Sequence, residues 1–230
     1  MKKFCAQLLV SFAIFLYAGN LLSEVSGSES LGSESSEKAI LLNADNFEHI
    51  EFKRIKSSDY TYQGQQLRVA VDGGASFLMQ AFDHVRLVSK VSFEWRSEGL
   101  PQTIDAKQEE KRAGDDAVFK LGLLLESDDS SLNPFLPSWM KRVEALLKHP
   151  SEDMIYLVAG AKHKPGIQWL NPYNKRVLMI AVDSIKDQHG WQQSSYHFDV
   201  PVKVVAIWLM SDGDNTGSQF TAHIKNISIE

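Results

Sequence analysis

Residues 220–229 read FTAHIKNISI, and their alternation is the clearest structural signal in the chain. Apolar side chains occupy every second position as far as Ile224, and the alternation resumes in the opposite phase at Ile227. A period of two is that of a β-strand with one buried face. The phase slip at Lys225 and Asn226 is typical of a β-bulge. The segment is therefore predicted to be a bulged strand.

Upstream of this segment, the same alternation or a run of β-branched and aromatic residues recurs at short spacing, separated by Gly, Asp, Asn and Pro clusters. Several short strands with turn signals between them are typical of an all-β sandwich. The sequence predicts a mostly β protein, an antiparallel β-sandwich or jelly roll. The seven further predicted strands are Gln66–Val71, Ser76–Phe82, Val85–Trp95, Ala117–Leu125, Met154–Val158, Arg176–Val182 and Val202–Met210.

One segment has helical rather than strand periodicity. Ser138 is placed to cap it, and Pro150 is placed to stop it. We expect one short accessory helix packed on the sandwich, because about twelve residues form only a marginal helix by themselves. Its apolar face is predicted to consist of Trp139, Val143, Leu146 and Leu147.

The N-terminus predicts export. Lys2 and Lys3 precede an apolar run of about 15 residues that ends at Ala18, an order typical of a secretory signal peptide. The run is shorter than the roughly 20 residues of a membrane-spanning helix, so an uncleaved anchor is the weaker interpretation. We predict a signal peptide over 1–23, a disordered Ser/Glu-rich linker over 24–38 and one domain over 39–230, periplasmic or secreted.

The charge balance and the cysteine content of the chain limit what it can bind and how it can be cross-linked. Of 24 basic residues, Lys2 and Lys3 lie in the leader, which leaves 22 against 29 acidic residues and a net charge near −7. An acidic surface argues against nucleic acid and against anionic lipid. Cys5 is the one cysteine and also lies in the leader, so the mature chain is expected to form no disulfide.

Two adjacent carboxylates, Asp115 and Asp116, open the predicted strand at 117. Neighbouring side chains on a strand point to opposite faces, so one carboxylate must face inward. A buried charge needs a counter-charge or several donors, and Lys120 and Arg96 are the candidates. The pair is interpreted either as an ion-paired structural element that fixes the loop, or as a metal ligand or an acid–base carboxylate. The long polar stretch 97–114 leads directly into it.

A second acidic motif, Ser-Asp-Gly-Asp-Asn-Thr-Gly at 211–217, lies between two predicted strands. Asp212, Asp214 and Asn215 supply oxygen atoms of the kind that calcium prefers, which makes calcium a candidate ligand. The motif does not fit an EF-hand, since His223 stands where that loop has its bidentate Glu. Asp and Asn beside Gly are equally typical of a tight turn, so both interpretations stay open.

Aromatic residues in or beside predicted loops are candidate platforms for sugar rings. Trp169, Tyr173 and Trp191 have this position, whereas Trp95 and Trp208 lie within predicted strands and are expected in the core. The seven histidines show no zinc-type spacing, and neither a serine-nucleophile motif nor a phosphate-binding glycine loop is present. No catalytic residue is assigned.

Three segments together resemble a bacterial family catalogued as domain of unknown function 3047. The resemblance implies export, a β-rich fold and a pairing of Asp115 and Asp116 with the 212–217 loop, but no activity. The chain departs from the family pattern at Phe93, Lys120 and Ile155; Lys120 stands where the family has Arg, and lysine cannot clamp a carboxylate with a planar fork. The segments are Ser92–Arg96, Gly114–Lys120 and Leu209–Gly217.

These observations favour an exported envelope protein that acts as a non-catalytic, carbohydrate-binding-type β-sandwich, with envelope polysaccharide as its partner. Asp115, Asp116, Trp169, Tyr173 and Trp191 are the candidate ligand-binding residues. A glycan hydrolase or lyase that uses Asp115 or Asp116 is an alternative, and so is an envelope assembly or scaffold protein. After leader cleavage no membrane span is expected.

Overall fold

Most residues of the computed structural model, which describes residues 38–128 and 136–230, lie in β-strands. The strands are β1 (Lys38–Ala39), β2 (Glu48–Glu51), β3 (Asp59–Gln63), β4 (Gln66–Asp72), β5 (Ser76–Glu98), β6 (Ala117–Glu126), β7 (Ser151–Ala159), β8 (Gln168–Leu170), β9 (Val177–Ala181), β10 (Ile185–Lys186), β11 (Gln192–Asp212) and β12 (Gln219–Ile229). The helices are α1 (Ala106–Glu109) and α2 (Ser138–Leu146), and Arg112–Gly114 forms a 3-10 turn.

The sandwich is built around two long antiparallel strands, β5 and β11, which belong to both of its halves. The later part of β5 and the earlier part of β11 lie in a first half-sheet with β12, β4 and β3. The earlier part of β5 and the later part of β11 lie in a second half-sheet with β2, β6, β7, β9 and β8. The predicted mostly β sandwich is confirmed.

All eight predicted strands are present, but two of them form a single strand. Ser76–Phe82 and Val85–Trp95 are joined in β5, and the break expected at Asp83 is wrong. Pairing with β11 shifts register between Ala81 and Arg86 instead of ending there. The bulge expected in β12 is confirmed, since its pairing with β5 shifts between Lys225 and Ser228. Asn226 adopts a positive φ of 50° at that point.

Not every pairing is antiparallel. β7 and β9 run parallel, from Met154 beside Val177 to Val158 beside Ala181. β8 lies on the outer edge of β9, so the connection between the two parallel strands supplies the last strand of the second half-sheet. Alternation along single strands cannot reveal which neighbour a strand takes or in which direction it runs.

Two apolar clusters occupy the two faces of the second half-sheet. The larger one fills the space between the half-sheets and includes Phe93, Phe119 and Ile224. The smaller one lies on the opposite, outer face and includes Tyr156 and Trp208. Because side chains alternate along β6 from Phe119 onward, Lys120 between Phe119 and Leu121 points toward this outer face. A strand that is buried on both faces therefore positions the site described below.

Helix α2 covers part of the outer face, as predicted. Trp139, Leu146 and Leu147 pack against the smaller cluster, and Val143 is buried in it. The capping prediction for Ser138 is wrong: Pro137 takes the extended cap conformation, and Ser138 is already the first helical residue. The helix ends at Leu146, before Pro150, because Leu147 is extended.

The polar stretch 97–114 is ordered and adds a second helix to the one expected. Asp105 caps α1 by accepting a hydrogen bond from the backbone N–H of Gln108 at 2.8 Å. Glu109 is buried and accepts backbone N–H groups of Lys162 and His163 at 3.0–3.2 Å. At Gly114 a Cβ atom would lie 2.5 Å from the Gln108 carbonyl oxygen, so only glycine fits this close approach.

The predicted leader, 1–23, and residues 24–37 of the predicted linker lie outside the described residues. Lys38 already pairs with Ile229 at the end of β12. In the part of the chain that the structure describes, no helix is both long and apolar enough to cross a bilayer.

Candidate functional site

A cavity of about 590 Å³ opens on the outer face of the second half-sheet, between the sheet and α2. Its size falls within the range of small-molecule sites, roughly 300–1,000 Å³. One part of its wall is apolar and aromatic, and another carries several carboxylates and one lysine. The residues that matter below are Phe52, Asp115, Lys120, Trp139, Tyr156, Tyr173, Trp208, Asp212, Asp214 and Asn215.

The aromatic wall is centred on Trp208 of β11. Its ring stacks on Phe77 with centroids 3.3 Å apart and meets the rings of Trp139 and Tyr156 edge-on at 6.1 and 6.2 Å. Phe52 extends the wall through an edge contact with Trp139 at 5.3 Å. Gly122 makes room for this packing, because a Cβ there would lie 3.1 Å from Trp208 and 3.0 Å from Tyr156. Trp139 on α2 and Phe52 are half-buried, whereas Phe77, Tyr156 and Trp208 are buried.

Two buried polar groups of the cavity wall lack a good protein partner. The indole Nε1 of Trp208 has no hydrogen-bond partner among the described residues, although the side chain is only 5 % exposed. The hydroxyl of Tyr156 contacts only the sulfur of Met210, at 3.9 Å, and sulfur is a weak acceptor. Unsatisfied buried polar groups are costly and rare in native structures. Both residues line the cavity, so these groups lie beside the space that a ligand would fill.

A buried ion network forms the polar end of the cavity. The Nζ of Lys120 lies 2.9 Å from Asp212 Oδ2, 3.4 Å from Asp115 Oδ2 and 2.5 Å from the Asp115 carbonyl oxygen. Asn171 donates to Asp115 Oδ2 at 3.1 Å, and the backbone N–H of Ala117 donates to Asp212 Oδ1 at 3.0 Å. Lys120, one of the two candidates that the sequence offered, thus supplies the counter-charge that the inward carboxylate needs. The other candidate, Arg96, lies over the ring of Trp191 instead. A lysine suffices because one nitrogen reaches all three acceptors.

Asp116 holds the 212–217 loop in place. Its Oδ1 accepts the backbone N–H and the side-chain amide of Asn215 at 3.1 and 3.0 Å. Its Oδ2 accepts the backbone N–H and the hydroxyl of Thr216 at 2.8 and 2.5 Å. These four bonds occupy the acceptor capacity of a carboxylate. Asp116 thus pairs with this loop directly, as the family resemblance implied, whereas Asp115 is linked to it through Lys120, which also contacts Asp212.

The predicted cation ligands lie together, but the arrangement does not fit calcium. Carboxylate oxygens of Asp116, Asp212 and Asp214 lie within 4.8 Å of one another. However, Asp212 is already paired with the ammonium of Lys120, and both oxygens of Asp116 accept hydrogen bonds from Asn215 and Thr216. Of these three carboxylates, Asp214 alone keeps acceptor capacity, and calcium needs six to eight oxygen ligands. Asn215 turns its amide nitrogen toward Asp116 and Asp214, while its Oδ1 accepts the hydroxyl of Tyr173. We therefore assign the counter-charge role to Lys120 rather than to a metal ion.

This assignment predicts that calcium does not stabilise the fold. The melting temperature is expected to stay within about 1 °C after chelation and after stepwise addition of calcium to millimolar concentration. A specific ion at a hundredfold its Kd would instead add about 2.7 kcal/mol, or several degrees for a domain of this size. A saturable rise in melting temperature would contradict the assignment.

Burial in this network raises the pKa of Asp212 to about 7, although Lys120 opposes the shift, because the charged form loses its hydration. Burial also raises the pKa of Asp214, and the nearby Asp116 adds to the effect. The cavity end thus carries carboxyl groups that keep their protons to higher pH than usual.

The sign of the resulting pH dependence follows from proton uptake. Between the ordinary value of 3.8 and about 7, folded Asp212 binds a proton that the unfolded chain releases. Its contribution to the free energy of unfolding therefore decreases as pH rises through this window and is constant above it. Urea titrations at about pH 5 and about pH 8 are expected to show a larger loss for the wild type than for Asp212→Asn. Equal losses would contradict this assignment.

The three aromatic candidates from the sequence do not lie together. Trp169 is buried, stacks on His163 with centroids 4.4 Å apart and does not line the cavity. Trp191 is also buried, between the cationic groups of Lys225 at 4.2 Å and Arg96 at 4.9 Å. A position in or beside a loop suggested exposed rings, but both rings are buried. His163 covers Trp169, and Arg96 and Lys225 cover Trp191.

Tyr173 is the aromatic candidate that lies at the cavity. It is 53 % exposed, and its hydroxyl joins Asn215 to the carbonyl of Arg112. Sequence reasoning missed the roles of Trp139 and Trp208 in the cavity wall, because both have the pattern of core residues. One sequence feature could have pointed to Trp139: it is a tryptophan on a short predicted helix. Such a helix covers a sheet only in part, so a large ring on it can stay partly accessible.

The fold and this cavity define a β-sandwich protein with a ligand-sized cavity on the outer face of one half-sheet. The chain belongs to the family described as "Protein of unknown function (DUF3047)", whose model matches residues 45–228. No curated protein matches the chain.

Solved structures with a similar arrangement are distant. A family 29 carbohydrate-binding module is 13 % identical, with a TM-score of 0.38 over 85 % of this chain and 92 % of the other. A family 11 carbohydrate-binding module from Clostridium thermocellum, in complex with a mixed-linked tetrasaccharide, is 8 % identical, with a TM-score of 0.41 over 84 % and 94 %. A β-1,2-glucanase from Parabacteroides distasonis is 13 % identical, with a TM-score of 0.32 over 80 % of this chain but 22 % of that one.

Proposed function

We propose that this protein is an exported, non-catalytic carbohydrate-binding module of a bacterial envelope, and that it holds its glycan in the cavity beneath α2. The observation that carries the proposal is the composition of the cavity wall. An aromatic surface faces a cluster of hydrogen-bonding groups, and two of the buried polar groups have no good protein partner. The leader predicted over 1–23 supports export.

A sugar ring matches both parts of this wall. Its C–H face is apolar and packs on aromatic rings, while its hydroxyl groups both donate and accept hydrogen bonds. Trp139 and Trp208 offer the aromatic surface, and the indole N–H of Trp208 can donate to a hydroxyl oxygen. Asp214 and Asn215 offer acceptors at the other end. The cavity volume accommodates a short oligosaccharide rather than a polymer lying in a flat groove.

The contacts of Asp115 and Asp116 favour binding over hydrolysis. A general acid or base must exchange a proton with the substrate at hydrogen-bonding distance. Asp116 spends both oxygens on Asn215 and Thr216, and Asp115 is held by Lys120 and Asn171. These two residues therefore have structural roles, and no catalytic residue is assigned.

The test is a titration calorimetry comparison of the wild type with Trp139→Leu. The ligands are neutral oligosaccharides of glucose, xylose and N-acetylglucosamine. Trp139→Leu is expected to weaken binding about tenfold, since it removes one aromatic anchor but keeps apolar bulk for folding. The matched control is Trp191→Leu on the first half-sheet, which should bind as the wild type does.

Two results would overturn the proposal. One is that the wild-type protein binds none of these neutral oligosaccharides and no oligomer of glucosamine or galacturonic acid. The other is equal affinity of Trp139→Leu and the wild type. Melting temperatures of all variants, measured alongside, separate a binding defect from a folding defect.

A further inference from the structure

The charged side chains that line the cavity are strongly unbalanced. Six carboxylates face one lysine, and no other charged side chain of the described residues lines the space. A low-dielectric cavity strengthens such an imbalance, because water does not screen the charges well. The carboxylates are those of Asp115, Glu144, Glu152, Asp153, Asp212 and Asp214.

The single lysine does not neutralise this field. Lys120 is already shared between Asp115 and Asp212 at the inner end. Asp214 is half-buried beside them, and its side chain is bonded by the amide of Asn215 at 3.3 Å, which supplies no charge. Its carboxylate is therefore the inner group with capacity for a cation. At the outer end Glu152 pairs with Arg176, whereas Glu144 and Asp153 are exposed.

The cavity also shows independent signs of being a ligand site. The buried indole N–H of Trp208 and the buried hydroxyl of Tyr156 line it without a strong protein acceptor or donor. The aromatic rings and the carboxylates line the same cavity, so a ligand that packs on the rings also meets the negative charge. Anionic ligands are disfavoured by repulsion, and a cationic group gains a charge-assisted hydrogen bond.

We infer that the glycan is an amino sugar oligomer with unacetylated, positively charged amino groups, and that Asp214 receives one ammonium group. This inference rests on the proposed glycan-binding function and specifies its ligand class. An ammonium on a sugar ring can bond a carboxylate while the C–H face of the ring stays on an aromatic side chain.

Three oligomers of equal length test the inference by calorimetry: glucosamine, N-acetylglucosamine and galacturonic acid. The titrations are run at about pH 7, which lies below the roughly 7.7–8.0 range of an ordinary α-amino group, so that the amine is charged. This pH also limits protonation of Asp212 and Asp214, whose pKa values are raised. Glucosamine oligomers are expected to bind at least about tenfold more tightly than the neutral oligomers. Galacturonic acid oligomers should bind more weakly than either.

Asp214→Asn supplies the residue-level test. It should remove most of the preference for glucosamine over N-acetylglucosamine, measured as the ratio of the two affinities in the same variant. The matched control is Asp59→Asn on the exposed edge strand β3, outside the cavity, which should keep the full preference.

The outcomes separate the two proposals. Equal binding of glucosamine and N-acetylglucosamine overturns the amino sugar inference and leaves glycan binding intact. Binding of galacturonic acid alone also overturns it. Absence of binding by every oligomer, in a protein that melts cooperatively, overturns the proposed function itself. Preference for glucosamine that survives in Asp214→Asn overturns the role of that residue.

Discussion

Lys120→Met is expected to destabilise the fold by about 3–5 kcal/mol, the largest effect of any substitution considered. The change removes the counter-charge of two buried carboxylates, Asp115 and Asp212, whose side chains are 8 % and 2 % exposed. Removal of one partner from a buried ion pair typically lowers the free energy of unfolding by this amount, because the remaining charge stays desolvated. For a domain of this size the melting temperature should fall by roughly 6–20 °C.

The comparison needs a surface lysine as control. Lys203→Met also removes an ion pair, with Glu126 at 3.0 Å, but its side chain is 64 % exposed, so solvent screens the pair and the melting temperature should stay close to that of the wild type. A double variant, Lys120→Met with Asp212→Asn, should recover part of the loss, since it also removes the stranded charge. If Lys120→Met melted like Lys203→Met, the buried network would have no stabilising role.

Asp116→Asn is expected to cost about 3 kcal/mol, although the side chains are nearly equal in size. Asparagine keeps one oxygen acceptor and turns an amide nitrogen toward Asn215 or toward Thr216. Donors then face donors, and at least two of the four bonds to the loop are lost. Each unsatisfied buried group costs roughly 1–3 kcal/mol. Urea unfolding at neutral pH measures the loss.

The control lies in the same loop. Asp214→Asn changes a half-buried carboxylate that accepts a single side-chain bond, from Asn215, and it should cost less than about 1 kcal/mol. If Asp214→Asn lost as much stability as Asp116→Asn, the charge of the loop, rather than the hydrogen bonds of Asp116, would determine the stability of the fold. An unchanged stability of Asp116→Asn would contradict its role in holding the loop.

The strands were predictable because burial of one face imposes a local period. Segments such as β12 and β4 carry that period clearly, and their positions follow from the sequence alone. Edge strands such as β3 and β8 do not, since they are short and half-exposed. The sequence also did not reveal that two predicted strands are joined in β5. The polar residues Asp83 and His84 between them are compatible with a turn and with a register shift inside one strand.

The acidic part of the site was predictable, and its aromatic part was not. The two Asp-rich motifs stand out in the sequence, and the need for a counter-charge pointed to Lys120. The cavity wall depends on packing across α2, the strands β6, β7, β9 and β11 and the loops around them, which no local pattern encodes. Trp208 has the alternation of a core residue and is buried like one, yet one edge of it borders the cavity. Trp169 and Trp191 follow loops and were nevertheless covered by their neighbours.

The most direct test of glycan binding in this cavity is a nitrogen–proton NMR titration of the tryptophan indole N–H signals. The five tryptophans report on different parts of the chain, and Trp139 and Trp208 line the cavity. With the tightest-binding oligosaccharide of the panel, we predict saturable shifts of the Trp139 and Trp208 signals and unchanged Trp95 and Trp191 signals. Shifts confined to Trp191, or none at saturating oligosaccharide, would contradict the account.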